Sequence, residues 1–306
     1  MPSAEHESMV AILRAGGAVL TPTEAPSPDD LRALRLVEVD AAQATAGHPA
    51  ASMRRHGGIE CVAISSAPTA PTIIYCHGGG YVYTRAGDAL GCLEALARRC
   101  QVNVVAPDYR RAPEHPFPAA VEDVVAVYEA LLSDCADTAG FVFAGDSAGG
   151  GLALAAMLAI QRAGLPKPMA GVLFSPWTDL TVSGESATAI DDPIVNAAGL
   201  ATMARLYLGT ADPRDPLASP LYATTSELEG LPPLLVQVGT REALLDDSRR
   251  FVGHASVSSA MVRHVEHDDV VHMWIIMDPS LPESARAFDI VAEFLADLAD
   301  RASSCG

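Results

Sequence analysis

One stretch of the sequence decides the fold class, namely Phe141-Val142-Phe143-Ala144-Gly145-Asp146-Ser147-Ala148-Gly149-Gly150. Its first four residues predict a short buried strand, and the Ala- and Leu-rich run from Ser147 to Ala163 predicts a helix that follows at once. Glycines two positions before and after Ser147 relieve the steric crowding of a sharp turn between strand and helix. Ser147 is therefore predicted to protrude above the sheet as a nucleophile, with the helix N-terminus favouring nearby negative charge. An idle serine in a glycine-rich turn is the alternative.

Outward from this turn, short strand-like runs alternate with helical ones from Gly58 onward. The predicted strands are Ile59 to Ile64, Thr72 to Cys76, Val102 to Tyr109, Phe141 to Gly145, Met169 to Phe174, Leu234 to Gly239 and Met261 to Val265. The predicted helices between and after them are Asp88 to Arg99, Ala119 to Leu132, Ser147 to Ala163 and Glu283 to Asp300. This alternation predicts an α/β protein with a mostly parallel central sheet flanked by helices.

Two regions lack this alternation of strand-like and helical runs. Residues 1–50 contain helix-like stretches at Ser8 to Ala15 and Pro28 to Ala46. The region between Ser175 and Pro232 is rich in Pro, Ser, Thr and Asp around one helix-like segment, Asn196 to Leu208. In open α/β sheets, ligands bind at the carboxyl ends of the strands, so an insertion after a strand end is expected to lie over the site. We predict N-terminal cap helices in 1–50, a cap insertion in 181–220 and a core formed by 51–180 and 221–306.

The composition excludes several classes of function. A formal net charge of −18, with Lys167 as the only lysine, disfavours nucleic acid and anionic membranes as partners. The chain has no membrane-length apolar run, and its start lacks the positive charge and long apolar run of a secretory signal, so we expect a cytoplasmic protein. The six cysteines form no CxxC pair and have no histidines at zinc spacing, which predicts reduced core residues and no metal site.

A second glycine-rich segment, His77-Gly78-Gly79-Gly80, follows directly after the predicted strand Thr72 to Cys76. Successive glycines permit backbone angles that turn N–H groups into an empty space. Together with the amide of Ala148, N–H groups from this loop can bind the oxyanion of a tetrahedral intermediate. The alternative, a phosphate-binding loop, needs a following Lys and Ser or Thr, or a G-x-G-x-x-G pattern, and neither is present.

Three motifs resemble the bacterial hormone-sensitive-lipase-like family of carboxylesterases: HGGG at 77–80, the run Asp108 to Glu114, and GDSAGG at 145–150. The runs Asp212 to Pro220 and Gln237 to Thr240 also resemble the branch that contains monoterpene-lactone hydrolases. The resemblance implies an α/β-hydrolase fold with a helical cap.

The same resemblance assigns roles to individual residues. It implies that Gly79, Gly80 and Ala148 donate the hydrogen bonds of the oxyanion hole. It also implies that Asp108 to Glu114 form a buttress behind the oxyanion loop, without a catalytic group.

In the fold that carries this turn between strand and helix, the three catalytic residues occur along the chain in the order Ser, acid, His. The catalytic base is therefore expected late in the chain. His254, His264, His267 and His272 follow the nucleophile. We predict His272, after a short loop and before Met273-Trp274, with His267 as the alternative.

The orienting acid departs from the family pattern. The family usually has Asp-Pro-Leu-x-Asp after the penultimate strand, and the matching run here is Glu242-Ala243-Leu244-Leu245-Asp246. Glu242 therefore takes the place of the acid and is predicted to receive the Nδ1 proton of His272. Asp246 and Asp247 are the alternatives, and capping of the following helix is their other interpretation.

These residues predict a serine esterase that cleaves small, short-chain carboxylic esters through an acyl-enzyme, without a metal or organic cofactor. Ring-opening of lactones or cleavage of amides is the alternative within enzymes, and a catalytically silent, receptor-like ligand-binding module is the alternative outside them. Substrate contacts are suggested for five residues, whose other interpretation is ordinary packing: Tyr81, Val82, Met203, Leu206 and Tyr207. The expected partner is the small-molecule ester or lactone, and the resemblance also allows a homodimer.

Overall fold

The computed structural model describes residues 2–16, 27, 45, 48, 50–134, 140–258 and 260–304. Within them lies one eight-stranded sheet, in the order β1-β2-β4-β3-β5-β6-β7-β8. The strands are β1 Ala51–His56, β2 Ile59–Ile64, β3 Thr72–Cys76, β4 Asn103–Pro107, β5 Phe141–Asp146, β6 Ala170–Phe174, β7 Leu234–Arg241 and β8 Val262–Val271. The pairings from β4 to β8 are parallel, whereas β1 and β2 are antiparallel to their neighbours, so the predicted mostly parallel sheet is confirmed.

Helices cover both faces of this sheet. They are α1 Ala4–Gly16, α2 Leu90–Cys100, α3 Ala119–Asp134, α4 Ala148–Arg162, α5 Ser186–Ala189, α6 Ala197–Leu208, α7 Thr225–Glu229, α8 Leu245–Val257, α9 Trp274–Met277 and α10 Pro282–Ser304, with 3₁₀ turns at Ala86–Ala89 and Pro220–Tyr222. Successive strand residues point to opposite faces. Ile74 accordingly packs in the core under α3 and α4, and Ile73 packs in the core under α2 and α10. No helix in the described part of the chain has the length and apolar character to cross a membrane.

The structure differs from the predicted strands at two places. β1 was not predicted, because Arg54, Arg55 and His56 give this edge strand no apolar alternation. β8 runs on to Val271, six residues past its predicted end, through a bulge opposite β7. The expected short loop before His272 was therefore wrong, and His272 follows the strand directly.

The regions predicted to cap the core lie as follows. α1 contains the predicted stretch Ser8 to Ala15, while Pro28 to Ala46 lies outside the described residues except for Thr45. The predicted segment Asn196 to Leu208 is α6, whose N-cap Asn196 accepts a hydrogen bond from the Gly199 N–H at 2.8 Å. The cap and core boundaries remain predictions.

Four cysteines fall within the described residues, and none of them forms a disulfide. Cys61, Cys76 and Cys92 are buried, and Cys100 is half-buried. Burial raises the pKa of each thiol, which keeps it protonated and unreactive at neutral pH.

The hairpin that joins β1 to β2 allows a matched test of packing. Gly57 and Gly58 both have positive φ, but a Cβ at Gly57 would lie 2.4 Å from the backbone oxygen of Ala126 in α3, whereas a Cβ at Gly58 would meet open space. In urea unfolding, we expect G58A to lose about 1 kcal/mol because of its left-handed backbone, and G57A to lose about 3 kcal/mol because the clash is added. Equal losses would contradict this placement of β1 against α3.

Candidate active site

Ser147 occupies the turn between β5 and α4. Its backbone is left-handed, with φ 53° and ψ −124°, a conformation that residues other than glycine rarely adopt. A Cβ at Gly145 would lie 2.3 Å from the oxygen of Gly149, and a Cβ at Gly149 would lie 2.0 Å from the oxygen of Cys76. Both glycines are thus required by close backbone contacts, and together they permit the sharp turn that presents the Ser147 hydroxyl.

A line of hydrogen bonds connects Ser147 to His272 and Glu242. The Ser147 Oγ lies 2.9 Å from His272 Nε2, and His272 Nδ1 lies 2.8 Å from Glu242 Oε2. His272 follows β8 and Glu242 follows β7, so adjacent parallel strands deliver both side chains to the same edge of the sheet. With Nδ1–H donating to Glu242, Nε2 is left to accept the hydroxyl proton of Ser147.

The pair of His272 and Glu242 is fully buried. Burial alone lowers the pKa of His272, but the hydrogen bond and negative charge of Glu242 outweigh it, so the pKa lies above its ordinary value. The arrangement favours an imidazole that gains a proton readily once the Ser147 hydroxyl begins to ionise.

The second oxygen of Glu242 fixes the carboxylate in place. Glu242 Oε1 accepts hydrogen bonds from the Ser175 hydroxyl and from the Gly239 N–H, both at 2.7 Å. A Cβ at Gly239 would lie 2.8 Å from this oxygen, so the glycine provides the room that the longer glutamate side chain needs. Ser175 was not singled out from the sequence, because its contact joins the ends of β6 and β7 across the fold.

The rival acids lie elsewhere. Asp246 Oδ2 accepts the Ser186 N–H at 2.8 Å, and Asp247 Oδ1 accepts the N–H groups of Thr178 and Asp179, both at 2.9 Å. The cap of α8 is Leu244 and involves no side-chain hydrogen bond, so the interpretation of these carboxylates as helix caps is wrong. Instead, they attach the chain between β6 and α6 to the start of α8.

The rival base, His267, lies within β8. Its Nε2 is 2.9 Å from Gln237 Oε1, and its ring lies against Trp274 with centroids 5.2 Å apart. Burial lowers the pKa of His267 to about 4. The residue therefore packs as a neutral histidine between β7 and α9, and the structure brings it to neither Ser147 nor Glu242.

The oxyanion loop lies next to the turn of Ser147. Gly79 and Gly80 have φ angles of 83° and 62°. In the described part of the chain, neither of their N–H groups donates to a protein atom. Ala148 begins α4, so its N–H has no partner within the helix. These are the three N–H groups that the resemblance assigns to the oxyanion hole, and that role remains a prediction.

Residues behind this loop hold its shape. Asp146 Oδ1 accepts the Gly78 N–H at 3.0 Å and the Tyr75 hydroxyl at 2.8 Å, and burial raises the pKa of Asp146 to about 6. The Tyr109 hydroxyl donates to the backbone oxygen of His77 at 2.8 Å, and the two rings stack at 4.1 Å. Tyr109 lies in the run Asp108 to Glu114, in the place where the resemblance expected a buttress. The support from Asp146 was not predicted.

The five suggested substrate contacts fall into two groups. Tyr81 and Tyr207 are buried and stack with centroids 3.8 Å apart, and Val82 is buried beside them, so these three side chains pack in the core. Met203, on α6, lies against the oxyanion loop, because a Cβ at Gly80 would be 2.0 Å from its sulfur. Leu206 is half-buried on the same helix.

A family model described as alpha/beta hydrolase fold matches residues 73–276, which contain all of these groups. The chain belongs to the α/β-hydrolase family. No group of three or more His, Cys, Asp or Glu residues in the described part of this hydrolase is arranged to hold a metal ion.

Curated relatives of this α/β hydrolase carry the names of ester-cleaving enzymes. An acetyl-hydrolase from Streptomyces hygroscopicus is 42% identical over 226 residues, which is 73% of this chain and 75% of the relative. An esterase from Acinetobacter venetianus is 33% identical over 237 residues, which is 76% of this chain and 77% of the relative.

Solved structures agree with these relatives. An esterase of the bacterial hormone-sensitive lipase family matches with a TM-score of 0.83 and 38% identity, covering 97% of this chain and 99% of the other. EstE5, in a crystal soaked with p-nitrophenyl butyrate, matches with a TM-score of 0.86 and 35% identity at the same coverage. The predicted family, fold and enzyme class, an esterase of the hormone-sensitive-lipase-like group, are therefore confirmed. The lactone branch remains a prediction.

Proposed function

We propose that this α/β hydrolase cleaves small, short-chain carboxylic esters through an acyl-enzyme, with Ser147 as nucleophile, His272 as base and Glu242 as orienting acid. The observation that carries the proposal is the unbroken line of hydrogen bonds from Glu242 through His272 to Ser147, at 2.8 and 2.9 Å. The esterase names of the relatives support the choice of ester over other carbonyl substrates.

The chemistry follows from the direction of these hydrogen bonds. His272 Nε2 takes the proton of Ser147 as Oγ forms a bond to the ester carbonyl carbon, and the N–H groups of Gly79, Gly80 and Ala148 bind the resulting oxyanion. Glu242 stabilises the imidazolium, which then gives its proton to the departing alcohol oxygen as the tetrahedral species collapses. Water repeats the sequence on the acyl-enzyme and releases the carboxylic acid together with free Ser147.

The preference for short acyl chains rests on Met203. Its side chain occupies the space above Gly80 and is buried, so it restricts the room beside the oxyanion loop. The name acetyl-hydrolase for one relative, and the butyrate ester used with EstE5, support the same range of chain length.

The nucleophile is tested by S147A. Without Oγ no acyl-enzyme forms, so kcat on p-nitrophenyl butyrate is expected to fall by about 10⁴-fold or more. A fluorophosphonate probe should label the wild-type protein and leave S147A unlabelled, while the thermal midpoints of the two proteins agree. Full activity in S147A would remove the proposal, and an unlabelled wild-type protein would favour the ligand-binding module.

The acid is tested by comparing E242A with D246A. Loss of Glu242 leaves the Nδ1–H of His272 without its buried acceptor, so kcat is expected to fall by about 10³-fold or more. In the described part of the chain, the Asp246 carboxylate accepts a single hydrogen bond, from the Ser186 N–H. D246A loses this one ordinary hydrogen bond and should therefore change kcat by less than about threefold. The reverse order of effects would transfer the role of the acid to Asp246.

The acyl-length proposal is tested by M203A. Removing the thioether opens space beside Gly80, so kcat/KM on p-nitrophenyl octanoate should rise relative to the butyrate ester by about tenfold. R205A, at an exposed position of the same helix, is the matched control and should leave the ratio unchanged. A ratio that stays constant in M203A would show that the acyl chain binds elsewhere.

A further inference from the structure

A further buried carboxylate, Asp192, lies in the turn between α5 and α6, and sequence analysis did not single it out. The residue is 6% exposed. Its Oδ1 accepts the N–H groups of Ile194 at 2.8 Å and Val195 at 3.3 Å, and its Oδ2 accepts the N–H of Ala243 at 2.9 Å. Hydrogen bonds from N–H groups favour the ionised carboxylate over the neutral acid, so these contacts oppose the effect of burial.

The contact with Ala243 reaches the loop of the catalytic acid. Ala243 follows Glu242 directly, and Glu242 Oε2 lies 2.8 Å from His272 Nδ1. Ser175 and Gly239 hold the Glu242 carboxylate itself, whereas Asp192 holds the next peptide group. The loop is thereby fixed at its side chain by the ends of β6 and β7, and at its backbone by the insertion.

The charge of Asp192 also acts on His272. Three carboxylates influence the ring: Glu242 from the loop after β7, Asp192 from the insertion and Asp146 from the end of β5. Each of them favours the protonated ring. Burial raises the pKa of Asp192 above its ordinary value, and the negative charge of Glu242 acts in the same direction, whereas His272 and the N–H groups of Ala243 and Ile194 oppose this rise. Because the groups are buried, water screens this attraction weakly.

Two ion pairs join α1 to residues next to Asp192 and Glu242. Asp191 pairs with Arg14 of α1 at 2.7 Å, and Arg241, next to Glu242, pairs with Glu7 of α1 at 3.1 Å. These pairs are substantially exposed, and exposed pairs contribute little free energy. The buried contacts between the insertion and the acid loop are of another kind, since both meet the peptide groups of Ala243: its N–H donates to Asp192 Oδ2 at 2.9 Å, and its carbonyl oxygen accepts from the Ser186 hydroxyl at 2.7 Å.

We propose that Asp192 is a positioning residue of the catalytic site, which fixes the Glu242 loop through the Ala243 N–H and adds a second carboxylate charge that stabilises protonated His272. This inference rests on the function proposed above and assigns the insertion a part in catalysis. Asp192 touches no reacting atom, so it acts through Glu242 and His272.

The test uses D192N, which keeps the size of the side chain but removes the charge and one acceptor. The pKa of His272, followed by NMR with ¹³Cε1-labelled histidine and identified by its absence in H272A, should fall by about one unit in D192N. Since His272 must be neutral to act as base, the acid limb of the kcat/KM profile should move to lower pH by the same amount. The value of kcat should fall by about tenfold, with KM within about twofold.

Two further variants complete the design. D246N removes a carboxylate that also binds the insertion backbone, at 2.8 Å, but is not among the groups with the largest effect on the pKa of His272, so this pKa and kcat should stay close to their wild-type values. D192E restores the charge and should return the pKa of His272 toward the wild-type value.

The pKa of His272 and kcat in D192N decide between a positioning role and a purely structural role for Asp192. A D192N protein with a lowered thermal midpoint but an unchanged pKa of His272 and unchanged kcat would make Asp192 a purely structural residue and overturn the proposal. If D192N does not fold, D192S carries the same measurement, because its hydroxyl can still accept in the turn, and an unchanged pKa overturns the proposal there as well. The NMR titration measures the pKa of His272 without any substrate. If the wild-type protein fails to cleave esters, the proposed function is removed, but the effect of Asp192 on this pKa is still tested.

Discussion

The left-handed backbone of Ser147 is the constraint on which the rest of the site depends. Here β5 passes into α4 at a single residue, and the positions two before and two after it carry no side chain. A Cβ at Gly145 or Gly149 would clash with neighbouring backbone oxygens, which shows how little space remains. The turn places the hydroxyl of Ser147 2.9 Å from His272 Nε2, and Ala148 begins the helix that follows. One strained conformation therefore places the proposed nucleophile next to the helix N-terminus.

Buried charge is the second element of this arrangement. Burial ordinarily lowers the pKa of a histidine, as it does for His267 in β8. Glu242 reverses that effect at His272 because its carboxylate is held by Ser175 and Gly239 and has no water to turn toward. Burial makes an unpaired charge costly, and it also strengthens the attraction between Glu242 and protonated His272.

The insertion between β6 and β7 is joined to the core through carboxylates. Asp246 and Asp247 bind backbone N–H groups at one end of it, and Asp192 binds the acid loop near the start of α6. Met203, further along α6, reaches the oxyanion loop. The insertion is thus connected both to the loop of the proposed acid and to the proposed anion-binding loop.

The sequence by itself determined the local features of this protein. The turn at Ser147, the glycines of the predicted oxyanion loop and the mostly parallel sheet could be predicted, because backbone sterics and hydrophobic periodicity act over a few neighbouring residues. The late position of His272 was predicted from the order Ser, acid, His that accompanies such a turn. Only the tertiary structure decided which carboxylate among Glu242, Asp246 and Asp247 meets His272, and that Tyr81 packs in the core. It also revealed Asp192 and the edge strand β1. These outcomes depend on strand register and on contacts between residues far apart in the chain, which no local pattern encodes.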